Sequence, residues 1–405
     1  MKIIKNLLKK IFIIFPPHLR APVFLLFASI FKKKAVKKAQ QEITEAFKNG
    51  IEKGDLVLSD NQIHIWKKAF LKALHYGVEQ ATKTAVEFCT CKIESIQIKH
   101  GNTIDVDAPI VICVVKNDLE RIKLLIKHHR MIGVRHFVFL DNGSSDGTLE
   151  WLLTQEVDVY QTGSSFEDHK KEAWINKLMW HYGFGRWYIA VDSDEVLAYA
   201  GMENHPVTDL IKYAEMKRYT AVRSLMLDMY SDKGIFGEQK EEYDIINENR
   251  FFDTYYHERD ALTHISVTGG PRNRLTKTEF SVLTKSPLVN FKKGDIYGTH
   301  ASLPIYKNYT PCLTVLMHYR FLPWDLKKWE NIVGEGKKYF EGREVFYKML
   351  IEGFLRYNGE TLICDQTAKF TTSKDLLKIN ILNKIDFTKR GNKCQEQKIH
   401  RNCQI

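Results

Sequence analysis

Acidic residues are missing from the first 41 positions of this 405-residue chain, which hold nine lysines and Arg20. The formal net charge is +11, so this one end supplies +10 of it and the rest of the chain is close to neutral. A nucleic-acid binder carries its basic stripe across the folded domain. Charge confined to one end argues against a nucleic-acid partner and for an arm that meets an anionic surface. Cysteine is also scarce. Seven in 405 residues exclude a disulfide scaffold and fit a reducing cytoplasm. Cys89 and Cys91 form a lone C-x-C with no second pair at zinc spacing, and they read as structural. Long apolar runs are absent as well. Ile11 to Phe15 and Val23 to Phe31 are split by Pro16, Pro17, His18, Arg20 and Pro22, and neither approaches the ~20 residues of a spanning helix. No small-residue cleavage site follows before Lys32, Lys33 and Lys34, which argues against a signal peptide. There is no internal repeat. The 44% hydrophobic and 27% charged content belongs to a globular protein rather than a disordered or polytopic one.

What is present divides the chain into four parts. Residues 1–41 form the basic arm. Within it Ile3, Leu7, Ile11 and Ile14 share a helical face while Lys2, Lys5, Lys9 and Lys10 lie mostly off it, the pattern of a helix lying in a membrane interface. The five lysines within residues 32–38 add roughly 1 kcal/mol per charge near an anionic leaflet. Residues 42–105 read as helical and then irregular, with Ile63, Trp66, Phe70 and Leu74 at helical spacing. Residues 106–340 alternate strand and helix. Residues 341–405 read as C-terminal helices and a basic tail that frays from Phe387 onward.

The alternation starts at Ile110 to Val115, a continuous apolar run expected of a strand buried on both faces. Asp118 is expected to cap the next helix, which carries Ile122, Leu125 and Ile126 and ends at Gly133. His128 and His129 read as packing residues. Strands are expected at His136 to Leu140, Val157 to Tyr160, Trp187 to Val191, Ala221 to Leu227 and Leu313 to Met317, with a helix from about Thr148 to Leu153. This predicts an α/β fold with a mostly parallel sheet and helices on both faces. Ligands of such sheets sit beyond the strand carboxyl ends, where Asn117, Asp141 and Asp192 fall. Residues i and i+2 of an extended chain point the same way. Asp192 and Asp194 therefore aim two carboxylates at one point, a fit for Mg²⁺ or Mn²⁺ with substrate phosphates.

The segments ICVVKND, HHRMIGVRHFVFLDNGSSDGT and WYIAVDSDEVL, with GGPRNRL, LTKSPLV, GTHASLP and LMHYRFL after them, resemble a family-2-type glycosyltransferase of the A-type nucleotide-sugar fold. The likeness is to a bacterial subgroup with the order N-E, H-H-R, D-N-x-S-x-D-G-T, D-x-D-E, and it covers roughly Pro109 to Tyr339. Asp118 stands where that subgroup usually has Glu. The resemblance implies that Asp141 reads the nucleotide base, usually uracil, with Asn117 and Asn142 beside it. Asp146 and Thr148 belong to the turn and cap. It implies that Asp192 lies near ribose and metal, that Asp194 ligates Mn²⁺ or Mg²⁺, and that His318 is a further ligand. Glu195 supports the loop or approaches the acceptor. Arg272, Arg274, Lys285 and Arg320 are cations for a diphosphate, and His300 is a candidate to face the acceptor.

The same resemblance implies an inverting transfer needing a carboxylate base near the acceptor hydroxyl. The E-D pair that related enzymes use is not found here. Asp228, Asp232, Glu258 and Asp260 are the acidic candidates, with Asp228, at the end of an apolar strand, preferred. Aromatics between Tyr230 and Thr268, Phe236, Tyr243, Phe251, Phe252, Tyr255 and Tyr256 among them, either stack acceptor sugars or pack a lid. Asp325 to Phe340 and Val345 to Leu355 are expected to be amphipathic helices closing the domain. The expected activity is transfer of a sugar from a nucleotide sugar, a UDP-sugar first, to a surface glycan or lipid-linked acceptor, at the inner face of a membrane. The alternatives are a catalytically silent nucleotide-sugar-binding or scaffold protein, and a nucleotidyltransferase; against the latter, VVKNDLER has no glycine for a phosphate loop.

Overall fold

The structure, a computed structural model, describes residues 14–16, 33–54, 56, 59–74, 78–101, 104–233, 235, 243–261, 263–279, 281–334, 343–357 and 361–388. The basic arm lies outside them apart from residues 14–16 and 33–41, as do Phe236, residues 335–342 and the tail beyond 388.

Three helices come first: α1 (Lys33–Glu52), α2 (Asp60–Ala73) and α3 (Val78–Thr90). Then follow β1 (Glu94–Gln97), β2 (Ile110–Val115), α4 (Leu119–Met131), β3 (His136–Asp141), α5 (Thr148–Leu153), β4 (Asp158–Gln161), α6 (Asp168–Tyr182), β5 (Arg186–Asp192), β6 (Glu195–Ala198), α7 (Val207–Met216) and β7 (Ala221–Asp228). The second half holds α8 (Ile245–Glu248), β8 (Phe251–Asp253), β9 (Tyr256–Asp260), β10 (Ile265–Gly269), α9 (Gly270–Thr276), β11 (Thr284–Phe291), β12 (Cys312–His318), α10 (Asp325–Gly334), α11 (Arg343–Arg356) and β13 (Thr367–Lys369). Every strand expected from the sequence is present within one residue at each end.

Nine strands form one sheet in the order β1-β4-β3-β2-β5-β11-β7-β12-β6. β4, β3, β2 and β5 are mutually parallel, and so are β7 and β12. β11 runs antiparallel to both β5 and β7, so β7 and β12 share the direction of β5. Six of the nine strands are thus co-directional, as expected of a mostly parallel sheet, and β1, β11 and β6 run antiparallel and make it a mixed one. β1, β11 and the β9–β10 hairpin have no counterpart in the sequence reading.

Alternate residues bury on opposite faces, as a strand's period of two requires. Val111, Cys113, Phe137, Phe139, Ile189 and Val191 face α4, α5 and α7. Ile110, Ile112, Val138, Leu140, Tyr188 and Ala190 face α1–α3 and α6. Full burial of each such side chain contributes roughly 1.5–3 kcal/mol. Residues 42–105 therefore share one core with the sheet. A third cluster packs α10 and α11 through Trp329, Tyr347, Leu350 and Phe354 against Phe321 and Leu275. After α11 the described residues give β13, paired with β8, and a 3₁₀ turn at Ser373–Lys378, with no further α-helix among them. Phe387, expected in the frayed tail, stacks on His205 with ring centres 4.1 Å apart.

One feature of the topology sets up the site. Only Ser193 and Asp194 separate β5 from β6, a link of at most roughly 11 Å. Yet β6 lies four strands from β5, roughly 19 Å in a flat sheet. The sheet must coil until its last strand meets the end of its fifth. The pairing His318↔Glu195 and the bond from Tyr319 N–H to Asp194 O at 2.9 Å close that turn. The irregularity between Lys285 and Leu288, around Pro287, lets β11 bend to allow it.

β6 is an edge strand, and its outer backbone groups need partners. His128 and His129 supply them. His128 Nε2–H donates to Leu197 O at 2.7 Å. His129 Nδ1–H donates to Leu125 O at 2.8 Å, so its Nε2 accepts from Leu197 N–H at 3.3 Å. The two packing histidines thus fasten β6 to α4. Burial pushes their pKa values down to about 4 and about 3.

Candidate functional site

All six co-directional strands, β4, β3, β2, β5, β7 and β12, end at one edge of the sheet, and antiparallel β11 and β6 begin there. This edge opens into a cavity of about 1410 Å³. Asn117, Asp192, Ser193, Asp194, Arg272, Lys285, His318 and Arg320 all line it, although they are up to about 200 residues apart in the chain.

Asp192 ends β5 with both carboxylate oxygens held. Lys171 Nζ lies 2.9 Å from Oδ1 and Lys285 Nζ 2.8 Å from Oδ2. Burial alone would raise its pKa; the two ammonium groups outweigh that and hold the carboxyl well below its usual range. Lys285 also donates to Glu195 Oε1 at 2.6 Å, and the Asp192 N–H donates to Glu195 Oε2 at 3.1 Å. Glu195 is fully buried and is absent from the cavity wall, so its position serves the loop rather than an acceptor.

Asp194 Oδ2 lies 3.0 Å from His318 Nε2. On the other side of that ring, Nδ1 lies 2.7 Å from Asp228 Oδ1. Arg272 grips Asp228 with Nε at 2.7 Å and Nη2 at 2.8 Å. Burial opposes charge on His318, but Asp194 and Asp228 overcome it and raise its pKa, while His318 helps hold Asp194 well below the usual carboxylate range. Asp228 faces no open space: it is fully buried, its oxygens belong to Arg272 and His318, and it does not line the cavity. The preferred base from sequence is therefore corrected to a residue that orients His318. Asp232, Glu258 and Asp260 do not line the cavity either, and Glu258 pairs with Arg223 at 2.6 Å.

The ligand atoms of Asp194, Glu195 and His318 lie within 4.8 Å of one another. Lys285 already neutralises Glu195, which leaves Asp194 and His318 as the pair that fits a divalent ion. Asp228 accepts from Nδ1–H, the arrangement that presents Nε2 as a ligand. A cation at Nε2 answers the Asp194 charge as the second imidazole proton does.

The loop residues divide. Asn117 lines the cavity in a left-handed backbone conformation, φ 53°. Its N–H donates to Ser144 Oγ at 2.9 Å and its Oδ1 accepts from Ser145 N–H at 2.7 Å. Asp141 and Asn142 are buried and do not line the cavity. Asp141 Oδ2 accepts from Gly143 N–H at 2.9 Å and Ser144 N–H at 3.0 Å. Asn142 Nδ2 donates to Thr162 O at 3.1 Å and Ser164 O at 2.7 Å. Asp146 Oδ1 accepts from Thr148 N–H at 3.0 Å, the turn role expected of it.

Asp118 makes no capping bond at α4. A guanidinium outcompetes a backbone amide for a carboxylate, and Arg121 Nη1 sits 3.0 Å from Asp118 Oδ1. Asp118 Oδ2 instead takes the hydroxyl of Ser193, the residue between the two site aspartates. Arg121 in turn reaches Asp325 of α10 and donates through Nε to Tyr319 O at 2.8 Å. Arg121 and Lys171 were missed from sequence, and Asp118 was read as a helix cap rather than as a support of the site. Lys171 sits in a polar helix turn with no local signal; Asp118 and Arg121 carry the i, i+3 spacing of a helical ion pair, the one signal available. Arg320 lies 5.7 Å from the ring centres of Phe346 and Tyr347, which hold it at the cavity wall. Arg274 points elsewhere: it pairs with Asp253 at 2.9 Å and lines a separate cavity of about 350 Å³. Cys89 and Cys91 are buried thiols packed in the helical core.

No protein-family model matches the chain, and no curated protein matches it.

Proposed function

We propose that this protein is a metal-dependent glycosyltransferase of the A-type nucleotide-sugar fold, moving a sugar from a nucleotide donor, a UDP-sugar first, to a lipid-linked or surface-glycan acceptor. The observation that carries the reading is the convergence of Asp192, Asp194, His318 and four cations, Lys171, Lys285, Arg272 and Arg320, on one cavity at the strand carboxyl ends. Cations around paired carboxylates suit a nucleoside diphosphate. The order of motifs in the sequence supports the same class.

In this reading Asp194 and His318 would hold Mn²⁺ or Mg²⁺. Such an ion neutralises charge on a departing diphosphate. Arg320, fixed against its two aromatic rings, grips the phosphates, and Lys285 and Lys171 add their charge to the same wall while they hold Asp192. Asn117, at the mouth of β2, orients the nucleoside. Asp141 shapes the base-reading loop through the Gly143 and Ser144 amides. Arg272 and Asp228 keep the His318 ring from turning.

The cavity exceeds the roughly 300–1,000 Å³ of a typical single-ligand site, which supports room for donor and acceptor together. Its lining includes apolar side chains, Phe70 and Ala73 of α2, Ala81 of α3, and Leu303, beside polar Gln80 and Thr84. These apolar residues suit contact with the lipid of a lipid-linked acceptor. No helix among the described residues is long and apolar enough to cross a membrane. We place the protein at the cytoplasmic face, held by the basic arm on anionic lipid.

The reading is tested by nucleotide release from UDP-, GDP-, CMP- and dTDP-sugars with Mn²⁺ or chelator. Metal-dependent release from one donor, lost in Asp194→Ala, supports it; metal-dependent donor binding with no turnover would favour the silent sugar-nucleotide binder.

A further inference from the structure

An inverting transfer needs a base, and the carboxylates that sequence offered do not reach the cavity. We propose that His300 is that base, its Nε2 taking the proton of the acceptor hydroxyl. The proposal rests on the glycosyltransferase reading.

His300 lies on the cavity wall with its side chain exposed to it. Its Nδ1 is 2.9 Å from Thr284 O. A carbonyl oxygen only accepts, so Nδ1 carries the hydrogen and Nε2 carries the lone pair. Thr284 directly precedes Lys285, so the imidazole is anchored to the strand that clamps Asp192. Nε2 pairs with no described residue. The other carboxylates and the other imidazole on the wall already have partners. Glu172 accepts from Thr299 N–H at 3.0 Å and from Gln80 Nε2 at 2.9 Å. Both Asp192 oxygens face lysines, and both His318 nitrogens face carboxylates. Outside the proposed metal pair, among the described residues, His300 Nε2 is the wall's uncommitted proton acceptor.

The electrostatics suit the task. Crowding by the cavity walls, and then the Lys285 charge, push the His300 pKa down to about 4, so the ring is neutral at physiological pH and ready to accept. A diphosphate seated among Lys285 and Lys171 offsets those charges and makes the imidazole more basic as the donor binds. In the step, the acceptor O–H bond breaks and its proton goes to Nε2. The oxygen forms a bond to the anomeric carbon, and the bond from that carbon to the diphosphate oxygen breaks. The nucleoside diphosphate leaves with the electron pair, and the imidazolium later returns its proton to water.

The test uses the full-length protein and His300→Ala and His300→Asn; asparagine keeps a donor for Thr284 O but lacks Nε2. UDP binding with Mn²⁺, by calorimetry, reports whether the donor site is intact. Two nucleophiles are compared on the donor panel: water, which must lose a proton, and azide, which need not. The proposal expects UDP affinity and glycosyl-azide formation to stay at the wild-type level in both variants, while donor hydrolysis falls by about 10²–10⁴-fold. Undiminished hydrolysis in the Asn variant overturns it. So does an equal fall in both reactions with UDP binding retained, since that marks a structural role. If wild type turns over no donor with either nucleophile, the glycosyltransferase reading itself fails and the base assignment fails with it.

Discussion

Replacing Lys285 with methionine tests how the site's charges are balanced. The lysine side chain is 4% exposed and bridges Asp192 and fully buried Glu195 at 2.8 and 2.6 Å. Methionine keeps the aliphatic stem and removes the charge. Asp192 retains Lys171, but Glu195 keeps, among the described residues, only the Asp192 backbone N–H at 3.1 Å. Removing one partner of a buried pair costs about 3–5 kcal/mol, because the other charge is left uncompensated. The same logic sets the companion variants. Glu195→Gln leaves Lys285 paired with Asp192 and costs less, about 1–3 kcal/mol. In the double variant the neutral glutamine no longer needs a cation, so the combined loss falls short of the sum by about 0.5–3 kcal/mol. Urea unfolding of the four proteins closes the cycle, provided the slope with denaturant is constant. A Lys285→Met cost below about 1 kcal/mol, or strict additivity, would refute the claim that one buried lysine compensates both carboxylates.

The paired histidines predict an acid-side loss of stability. Folded pKa values of about 4 for His128 and about 3 for His129 lie below the unfolded 6.5. Their contribution is complete above pH 6.5 and is lost as pH falls toward 4, by roughly 3 kcal/mol for each ring. The urea midpoint followed across that window checks this, and a variant with both replaced by Asn should show a flatter profile. Removing residues 1–32 leaves α1 whole and should sharply weaken sedimentation with vesicles containing phosphatidylserine, leaving only the part due to Lys33, Lys34, Lys37 and Lys38, while Mn²⁺-dependent UDP binding stays unchanged; undiminished sedimentation contradicts the role given to the arm. Arg320→Met should weaken UDP binding by about tenfold or more, as loss of a charged hydrogen bond worth ~1.5–3 kcal/mol implies, with the unfolding midpoint nearly unmoved.

Much of the fold was readable because strands buried on both faces leave unbroken apolar runs, as Ile110 to Val115 does. The carboxylate pair was readable for the same reason, since Asp192 and Asp194 follow such a run directly. What escaped were relations between distant segments. β11 enters between β5 and β7 from some 60 to 100 residues away, and no local pattern fixes its direction. Lys171 carries no local signal, and only the packing of its helix brings it to Asp192. Asp228 was correctly put at a strand end, but its burial between Arg272 and His318, which removes it from base duty, depends on residues 44 and 90 positions away. Asp118 looked like a helix cap because spacing cannot show that Arg121 and Ser193 compete for it. His300 had no motif of its own beyond GTHASLP; its tautomer, fixed by Thr284 O, is visible only in three dimensions.

The central claim is that Asp194 and His318 bind a divalent ion together with a nucleotide-sugar diphosphate. Calorimetry of UDP binding with and without Mn²⁺, on wild type, Asp194→Ala and His318→Ala, tests it most directly. The account predicts binding that requires Mn²⁺ in wild type and is lost in both variants, with far-UV circular dichroism preserved. UDP binding of equal strength with chelator present, or undiminished in Asp194→Ala, would contradict it.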